Sequence, residues 1–291
     1  MRRLKLLLVL TLALISFSIN VNAQELRVLT FNIRYNNPSD GENAWPNRKD
    51  NAASMIKFYD ADIVGLQEAL VGQVHDLEER LLNYAWFGVG RDDGAEAGEF
   101  MTVFYLKDRF DVLEESTFWL SQDPTKPGKG WDAACNRVVT WGKFKERETG
   151  RIFYLFNTHF DHVGEIARRE SAKLVLTKIH EIAGDVPAFL TGDFNSTPDS
   201  EPYKIITEGL PDNPTLKLID TKKISLTPHH GPYGTMTDFE LSNLKGNKKQ
   251  IDYIFITGGM KVLKHATLSD TFDGYFPSDH MPVLVDVIFE Q

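Results

Sequence analysis

The residues of this chain that are equipped for chemistry are acidic, amide and imidazole side chains at the ends of short apolar runs. They are Asn32, Glu68, Glu99, His159, Asp193, Asn195, Asp252, Asp279 and His280. Taken singly, each has an ordinary explanation: Asp193 as the cap of a turn, Asn32 as the end of a strand, His280 as a hydrogen-bonded core histidine. Burying many such groups costs free energy unless they are paired, hydrogen-bonded or bound to a metal ion. The set as a whole therefore predicts a shared polar site.

The chemistry that these groups would support together is the hydrolysis of phosphate esters. Carboxylate and amide oxygens without thiolates are hard ligands, which favour Mg²⁺, with Mn²⁺ or Ca²⁺ as alternatives, over structural zinc. Two imidazoles with nearby carboxylates supply general acid and base groups and cationic donors. A hard divalent ion facing an imidazole neutralises phosphate oxygens while a positioned base deprotonates water.

A two-sheet sandwich is the architecture that we expect to position these residues. The short apolar runs predict eleven strands: Leu26–Ile33, Asp62–Gln67, Ala85–Val89, Phe100–Leu106, Phe110–Leu120, Arg137–Phe144, Ile152–Asn157, Ala188–Thr191, Ile251–Thr257, Lys261–Ser269 and Pro282–Phe289. Helices are predicted at Asn47–Tyr59, Gly72–Leu82, Val163–Ala183 and Ser200–Glu208. Because strands and helices do not alternate strictly, we expect an α/β (α+β) fold in four layers, with two packed mixed β-sheets flanked by helices, rather than a barrel.

The first 23 residues are predicted to be a secretory signal peptide. Three basic residues open the chain, an apolar run covers residues 6–19, and the small residues Val21 and Ala23 precede a cleavage point. As a helix, a run of 14 residues rises only about 21 Å, against a bilayer core of roughly 30 Å, so a membrane anchor is disfavoured. We therefore expect a secreted or periplasmic protein with one catalytic domain over residues 24–291, and no integral membrane segment after cleavage.

The hydrophobic content, the cysteine count and the net charge limit which class of protein this is and which substrates it would bind. With 42% hydrophobic residues and one cysteine, Cys135, the chain is neither a disordered protein nor a disulfide framework. Acidic residues outnumber basic ones, 41 against 32, and loss of the three basic residues of the predicted leader changes the formal net charge from −9 to −12. Proteins that hold long duplex DNA usually present a basic face. Charge therefore slightly favours a small or single-stranded phosphate ester.

The spelling of six short blocks resembles the signature motifs of the endonuclease/exonuclease/phosphatase superfamily, which has the deoxyribonuclease I-like fold. The blocks are Thr30-Phe31-Asn32, Leu66-Gln67-Glu68, Asn157-Thr158-His159, Gly192-Asp193-Phe194-Asn195, Ile251-Asp252-Tyr253 and Ser278-Asp279-His280. They follow the order of the family and extend over about residues 26–288. The resemblance implies a four-layer α/β sandwich, in agreement with the strand count.

The resemblance also implies roles for the residues of the metal and water sites. Glu68 would be the principal metal ligand, with Asn32 beside it and Asp279 near the same ion or a second one. Asp193 and Asn195 would position or activate the attacking water and contact the phosphate.

Two carboxylate–imidazole pairs are implied by the same resemblance. Asp252 would orient His280, which would act as a general base or stabilise the charge developing on phosphorus. Glu99 would pair with His159 on the side of the leaving group.

Arg91 and Arg137 are the candidates for phosphate binding. A guanidinium suits this role because it donates two parallel hydrogen bonds to a phosphate. A surface salt bridge is the alternative for each.

The sequence thus predicts a secreted, divalent-metal-dependent phosphoesterase that cleaves a phosphodiester or phosphomonoester by water attack. The substrate would be a nucleic acid, nucleotide, sugar phosphate or lipid head group, and no protein partner is implied. The alternative is a secreted, non-catalytic ligand-binding module on the same scaffold. Metal-dependent hydrolysis of another bond has less support, because the chain contains neither His-Glu-x-x-His nor Gly-x-Ser-x-Gly.

Overall fold

Two mixed β-sheets of six strands each form the centre of the structure, a computed structural model that describes residues 25–210 and 212–290. The predicted signal peptide lies outside the described residues. Strand order is β11-β12-β1-β2-β4-β3 in the first sheet and β5-β6-β7-β8-β10-β9 in the second. Across the described ranges, no helix is long and apolar enough to cross a membrane.

The element bounds are as follows. The strands are β1 Leu26–Asn32, β2 Ile63–Gln67, β3 Tyr84–Phe87, β4 Val103–Leu106, β5 Phe110–Trp119, β6 Val138–Glu146, β7 Ile152–His159, β8 Ala188–Asp193, β9 Ile219–Asp220, β10 Asp252–Ile256, β11 Met260–Thr267 and β12 Val283–Phe289. The α-helices are α1 Trp45–Phe58, α2 Val71–Glu78, α3 Glu165–Ala183, α4 Glu201–Glu208 and α5 Thr221–Ile224, with 3-10 turns at Pro38–Asn43 and Leu241–Leu244.

The sheets pack face to face with helices on both outer faces. Between them, Val28 and Val285 of the first sheet share a core with Phe144, Phe189 and Ile254 of the second. Residues of α1 and α2 pack on the outer face of the first sheet, and residues of α3 and α4 on that of the second. The predicted four-layer sandwich is confirmed, because each sheet buries apolar side chains on both faces.

The long helix α3 shows how local sequence sets these layers. Its first turn is capped by Asp132, whose carboxylate accepts hydrogen bonds from the amides of Ile166 (3.2 Å) and Ala167 (2.6 Å). It ends at Gly184, where a φ of 56° suits a residue without a side chain.

Buried polar contacts join the two sheets beside the predicted site. Buried Asn157 of β7 donates to the Leu66 carbonyl (2.7 Å) and accepts from Gln67 (2.6 Å) and Thr191 (3.1 Å). Opposite it, a Cβ on Gly65 would lie 2.6 Å from the side-chain oxygen of Asn157, so only glycine fits there. The hydrogen bonds of Asn157 therefore hold together the edges of the two sheets that carry the site.

A buried histidine on β11 should make the fold sensitive to acid. His265 is 2% exposed, and its Nδ1 lies 2.9 Å from Nδ1 of His229. Burial lowers the pKa of His265 to about 3, whereas the unfolded chain has a pKa of about 6.5. Between these values the unfolded state binds the extra proton, so stability is lost as the pH falls.

We therefore expect His265→Gln to lose about 2 kcal/mol less free energy of unfolding than the wild type between about pH 7.5 and pH 5. Urea denaturation at the two pH values measures the difference, and the other acid-sensitive groups cancel because both proteins contain them. Equal losses in the two proteins would show that His265 does not cause the acid sensitivity.

Candidate active site

One edge of the two sheets collects the predicted site residues. Strands β1 and β2 are parallel, as are β7 and β8, so the ends of each pair lie at a common edge. Strand β10 runs antiparallel to β8 and starts there, with Asp252 opposite Asp193. The segment 278–280 precedes β12, which runs antiparallel to β1. Strand direction thus brings together residues that are far apart in the sequence.

Asp193, Asp252 and His280 form the buried centre of the site. The Nδ1 atom of His280 lies 2.9 Å from Oδ2 of Asp252, and its Nε2 lies 3.8 Å from Oδ2 of Asp193. All three residues are at most 5% exposed. With Nδ1 donating to Asp252, the Nε2–H of His280 points towards Asp193.

Burial and mutual charge shift the pKa values of this centre. Burial and the neighbouring Asp252 raise the pKa of Asp193 to about 7, although His280 opposes the shift. Burial lowers the pKa of His280, but the charges of Asp252 and Asp193 outweigh it and raise the pKa well above its usual value. His280 is therefore an imidazolium at neutral pH, and Asp193 takes up or releases a proton near neutrality.

Asn195 connects Asp193 to the second histidine. The backbone amide of Asn195 donates to Asp193 (2.9 Å), and its side-chain amide donates to Nε2 of His159 and to the Phe160 carbonyl, both at 3.0 Å. Asn195 has a φ of 45°, a conformation that costs energy for a non-glycine residue. Because Nε2 of His159 accepts, its Nδ1 carries the proton.

His159 is held as a neutral imidazole. Burial lowers its pKa well below the usual value, and the cations Arg137 and Arg91 act in the same direction. Its Nδ1 lies 4.0 Å from Oε2 of Glu99, too far for a hydrogen bond. The same oxygen accepts from Arg91 at 2.6 Å. Glu99 therefore faces His159 but is bonded to Arg91.

On the other side of Asp193 lies Glu68. The amide of Asn32 donates to Glu68 (3.0 Å) and to Asp193 (3.1 Å), and the backbone of Tyr35 donates to the second oxygen of Glu68 (3.1 Å). Glu68 has a φ of 62°, which turns it away from the line of β2. The oxygen of the Asn32 side chain accepts from the Arg34 amide. In this arrangement Asn32 holds the two carboxylates together, and metal ligation by Asn32 itself stays a prediction.

Asp279 is the second carboxylate on this side of the site, and we call Glu68 and Asp279 together the acidic wall. Burial has the largest effect and raises the pKa of Asp279; the charge of His280 lowers it, and the charge of Glu68 raises it by a smaller amount. Ser278 donates to Asp279 (3.2 Å) and to the Asn32 carbonyl (2.7 Å), which ties segment 278–280 to the end of β1.

Arg137 is buried and paired with its neighbours rather than free in the site. It is 4% exposed, and its guanidinium contacts the carboxylate of Asp161 (3.2 Å) and Nδ1 of His162 (2.9 Å). Arg91 takes part in the ion pair with Glu99. Each arginine therefore forms a salt bridge, as the alternative predicted, although that of Arg137 is buried and not at the surface. Phosphate binding by either arginine stays a prediction.

Two arginines near the acidic wall were missed by the sequence analysis. Arg34 pairs with Asp40 at 3.0 Å and lies 3.9 Å from Asp279. Arg48 is buried and bonds to backbone carbonyls around the site. Neither belongs to a recognisable motif block, and an arginine in a loop or amphipathic helix is usually a surface residue.

The donor set fits a hard divalent cation. The carboxylates of Glu68 and Asp193 lie on either side of the Asn32 amide, which donates to both, and an oxygen of Asp252 lies within 4.8 Å of an oxygen of Asp193. Burial raises the pKa of both Asp193 and Asp279, and a neighbouring carboxylate adds to the shift in each case. A bound cation would stabilise their charged forms, and oxygen ligands are those that Mg²⁺, Mn²⁺ and Ca²⁺ prefer.

This chain is similar in sequence and in fold to proteins of one known family. The sequence profile of the Endonuclease/Exonuclease/phosphatase family matches residues 29–280. An endonuclease/exonuclease/phosphatase from Bacteroides vulgatus is 44% identical, with a TM-score of 0.86 over 92% of this chain and 100% of that one. A mannosyl-6-phosphatase from Bacteroides thetaiotaomicron is 37% identical, with a TM-score of 0.83 over 91% of this chain and 100% of that one.

A curated relative is a nuclease. The CCR4-Not complex 3'-5'-exoribonuclease subunit of Aspergillus niger is 23% identical over 312 residues, which cover 84% of this chain and 47% of that protein. The chain therefore spans about half the length of that relative. Because the family profile extends over most of the sequence and the solved structures match along their whole length, this chain belongs to the Endonuclease/Exonuclease/phosphatase family.

Proposed function

We propose that this chain is an exported, divalent-metal-dependent phosphatase that hydrolyses small phosphate monoesters, with sugar phosphates as the leading substrate class. The observation that carries the proposal is the buried centre in which the imidazolium of His280 and the carboxylate of Asp193 face each other, beside Glu68. This arrangement offers positive charge for a phosphate and a proton acceptor for water at the same place.

The residues of the centre divide the work. His280 donates its Nε2–H to a non-bridging phosphate oxygen and stabilises the negative charge that grows there, while Asp252 fixes the ring. Asp193 has a pKa of about 7, which suits a group that accepts a proton from the attacking water near neutral pH. Asn195 orients both Asp193 and His159.

The acidic wall would hold the metal ion. Glu68 and Asp279 are the carboxylates that would bind it, and Asn32 keeps Glu68 next to Asp193. When bound, a divalent ion neutralises phosphate oxygens and so lowers the barrier to attack.

Two observations support a small monoester over a long nucleic acid. The mannosyl-6-phosphatase relative matches over the full length of its chain, whereas the exoribonuclease subunit matches over less than half of its own. The formal charge of −9 over the whole sequence also offers no general basic surface for a polyanion. Export rests on the leader-like residues 1–23, and sequencing the mature N-terminus of native material would test cleavage after Ala23.

The experiment is a substrate panel assayed with Mg²⁺, Mn²⁺ and Ca²⁺. We expect phosphate release from hexose 6-phosphates at a kcat/KM at least about tenfold above that for a nucleotide monophosphate or a single-stranded oligonucleotide, a difference of about 1.4 kcal/mol in transition-state binding. Chelation should abolish release, and added metal should restore it.

The same panel separates the alternatives. A preference for oligonucleotides would overturn the sugar-phosphate assignment and leave a nuclease. Ligand capture without turnover of any substrate, in the presence of each metal, would overturn the enzymatic assignment and leave the binding module.

A further inference from the structure

Arg48 is a buried cation in the first turn of α1, close to the acidic wall but not bonded to it. Its guanidinium donates to four backbone carbonyls: through Nε to Asn43 (2.7 Å), through Nη1 to Ile33 and to Pro277 (3.2 Å), and through Nη2 to Arg34 (2.8 Å). The residue is 2% exposed. In the described part of the chain, none of its hydrogen bonds goes to a carboxylate.

A guanidinium in this position is costly unless its geometry is used. Burial of a charge without a bonded counterion is unfavourable, and an apolar side chain would fill the same space at lower cost. The rings of Trp45 and Phe239 lie 5.1 and 5.5 Å from its Cζ atom and confine it further. The planar guanidinium of Arg48 is therefore held in one orientation, in which its three nitrogens donate to the four carbonyls named above.

Those carbonyls belong to the two segments that carry the acidic wall. Ile33 and Arg34 follow Asn32 and begin residues 33–36, which we call the ligand strap. Tyr35 of this strap donates its backbone N–H to Glu68 at 3.1 Å. Pro277 lies two residues before Asp279. Arg48 thus joins the segment that orients Glu68 to the segment that carries Asp279.

Gln73 of α2 reinforces the same strap. Its side chain is 1% exposed, donates to the Arg34 carbonyl (3.0 Å) and accepts from the Asn36 amide (2.7 Å). The Arg34 carbonyl is therefore held by two side chains from two helices. A strap fixed at both ends in this way leaves its Tyr35 N–H little freedom to move away from Glu68.

We infer that Arg48 is a positioning residue for the metal site: it sets the spacing between the Glu68 and Asp279 carboxylates by bonding the ligand strap and Pro277 at once, with Gln73 as its support on the strap. The inference rests on the proposed function, because it assigns these carboxylates to a divalent ion. Partners that orient metal ligands in this way typically change metal affinity by about 10- to 100-fold when they are lost.

The test compares Arg48→Lys with Arg109→Lys. Lysine keeps the charge but cannot bond two segments with a planar fork. Arg109, between β4 and β5, is the control, since it is partly buried and multiply bonded: it pairs with Asp62 and Glu146 and donates to the Glu25 carbonyl. Asp62 precedes β2, so these contacts lie at the end of the strand opposite the site. Titration calorimetry with Mn²⁺ alone, on folded protein, measures the dissociation constant, and thermal unfolding without metal measures stability.

We expect Arg48→Lys to weaken Mn²⁺ binding by at least about tenfold, with most of kcat recovered at saturating Mn²⁺. Arg109→Lys should lower the melting temperature and leave the dissociation constant unchanged. A folded Arg48→Lys protein with wild-type Mn²⁺ affinity overturns the inference, as does an equal loss of affinity in the control.

Gln73→Met decides the question if Arg48→Lys does not fold. It removes the second donor to the Arg34 carbonyl, so weaker Mn²⁺ binding by the folded variant supports the inference, and unchanged binding overturns it. The wild type distinguishes this failure from that of the proposed function: a wild-type chain that binds no Mn²⁺ and releases no phosphate refutes the metal-dependent phosphatase itself.

Discussion

Glu68→Gln should reduce kcat/KM for phosphate release by at least about 10³-fold, the scale of losing one charge-stabilising group in a water-poor site. The substitution keeps the shape of the side chain but removes its negative charge. It also places an amide NH₂ against either the Asn32 amide or the Tyr35 backbone N–H, both of which now donate to Glu68. Two donors then face each other, so the side chain loses its orientation as well as its charge.

Steady-state kinetics over a range of Mg²⁺ concentrations measures the effect, and Glu79→Gln is the control. Glu79 has a 77% exposed side chain at the end of α2, so the same chemical change there should leave kinetics and metal dependence unaltered. Activity within a few-fold of the wild type in Glu68→Gln would remove Glu68 from the metal site.

The fold was predictable because most strands are short apolar runs that are buried along their length. Runs such as Leu26–Ile33 are apolar and bounded by turn residues, and each became a strand of one of the two sheets. Strand β9, only two residues long at Ile219–Asp220, was missed because such a segment carries no pattern. Strand β7 extends to His159, two residues beyond its predicted end, since polar residues inside a sheet resemble a strand terminus in the sequence.

The convergence of the site residues and the pair of Asp252 with His280 were predictable, but the partner of Glu99 was not. Motif spelling placed Asp193, Asp252 and His280 together, and the structure has their polar atoms within 4.8 Å of one another. The carboxylate of Glu99 instead bonds Arg91, because a guanidinium competes better for a buried carboxylate than a neutral imidazole does. Such competition depends on which side chains converge in space, and a single sequence does not record it.

Asp252→Asn and His280→Gln should each reduce kcat/KM by about 10³-fold, the range of one positioned acid–base or charge-donating group. The double variant should be no slower than the slower single variant. The reason is that His280 and Asp252 act as one unit: the 2.9 Å hydrogen bond fixes the ring, and Asp252 is the largest of the charges that keep His280 protonated. Once either is gone, the other has nothing left to contribute.

The pH profile tests whether Asp252 acts through the pKa of His280. Asp252→Asn removes a charge that raises the pKa of His280, so the imidazolium should deprotonate at lower pH. The alkaline limb of the kcat/KM profile should therefore move to lower pH than in the wild type. His180→Gln, at an exposed position on α3, should leave both rate and profile unchanged. Additive losses in the double variant, or an alkaline limb that stays in place in Asp252→Asn, would mean that Asp252 does not act through His280.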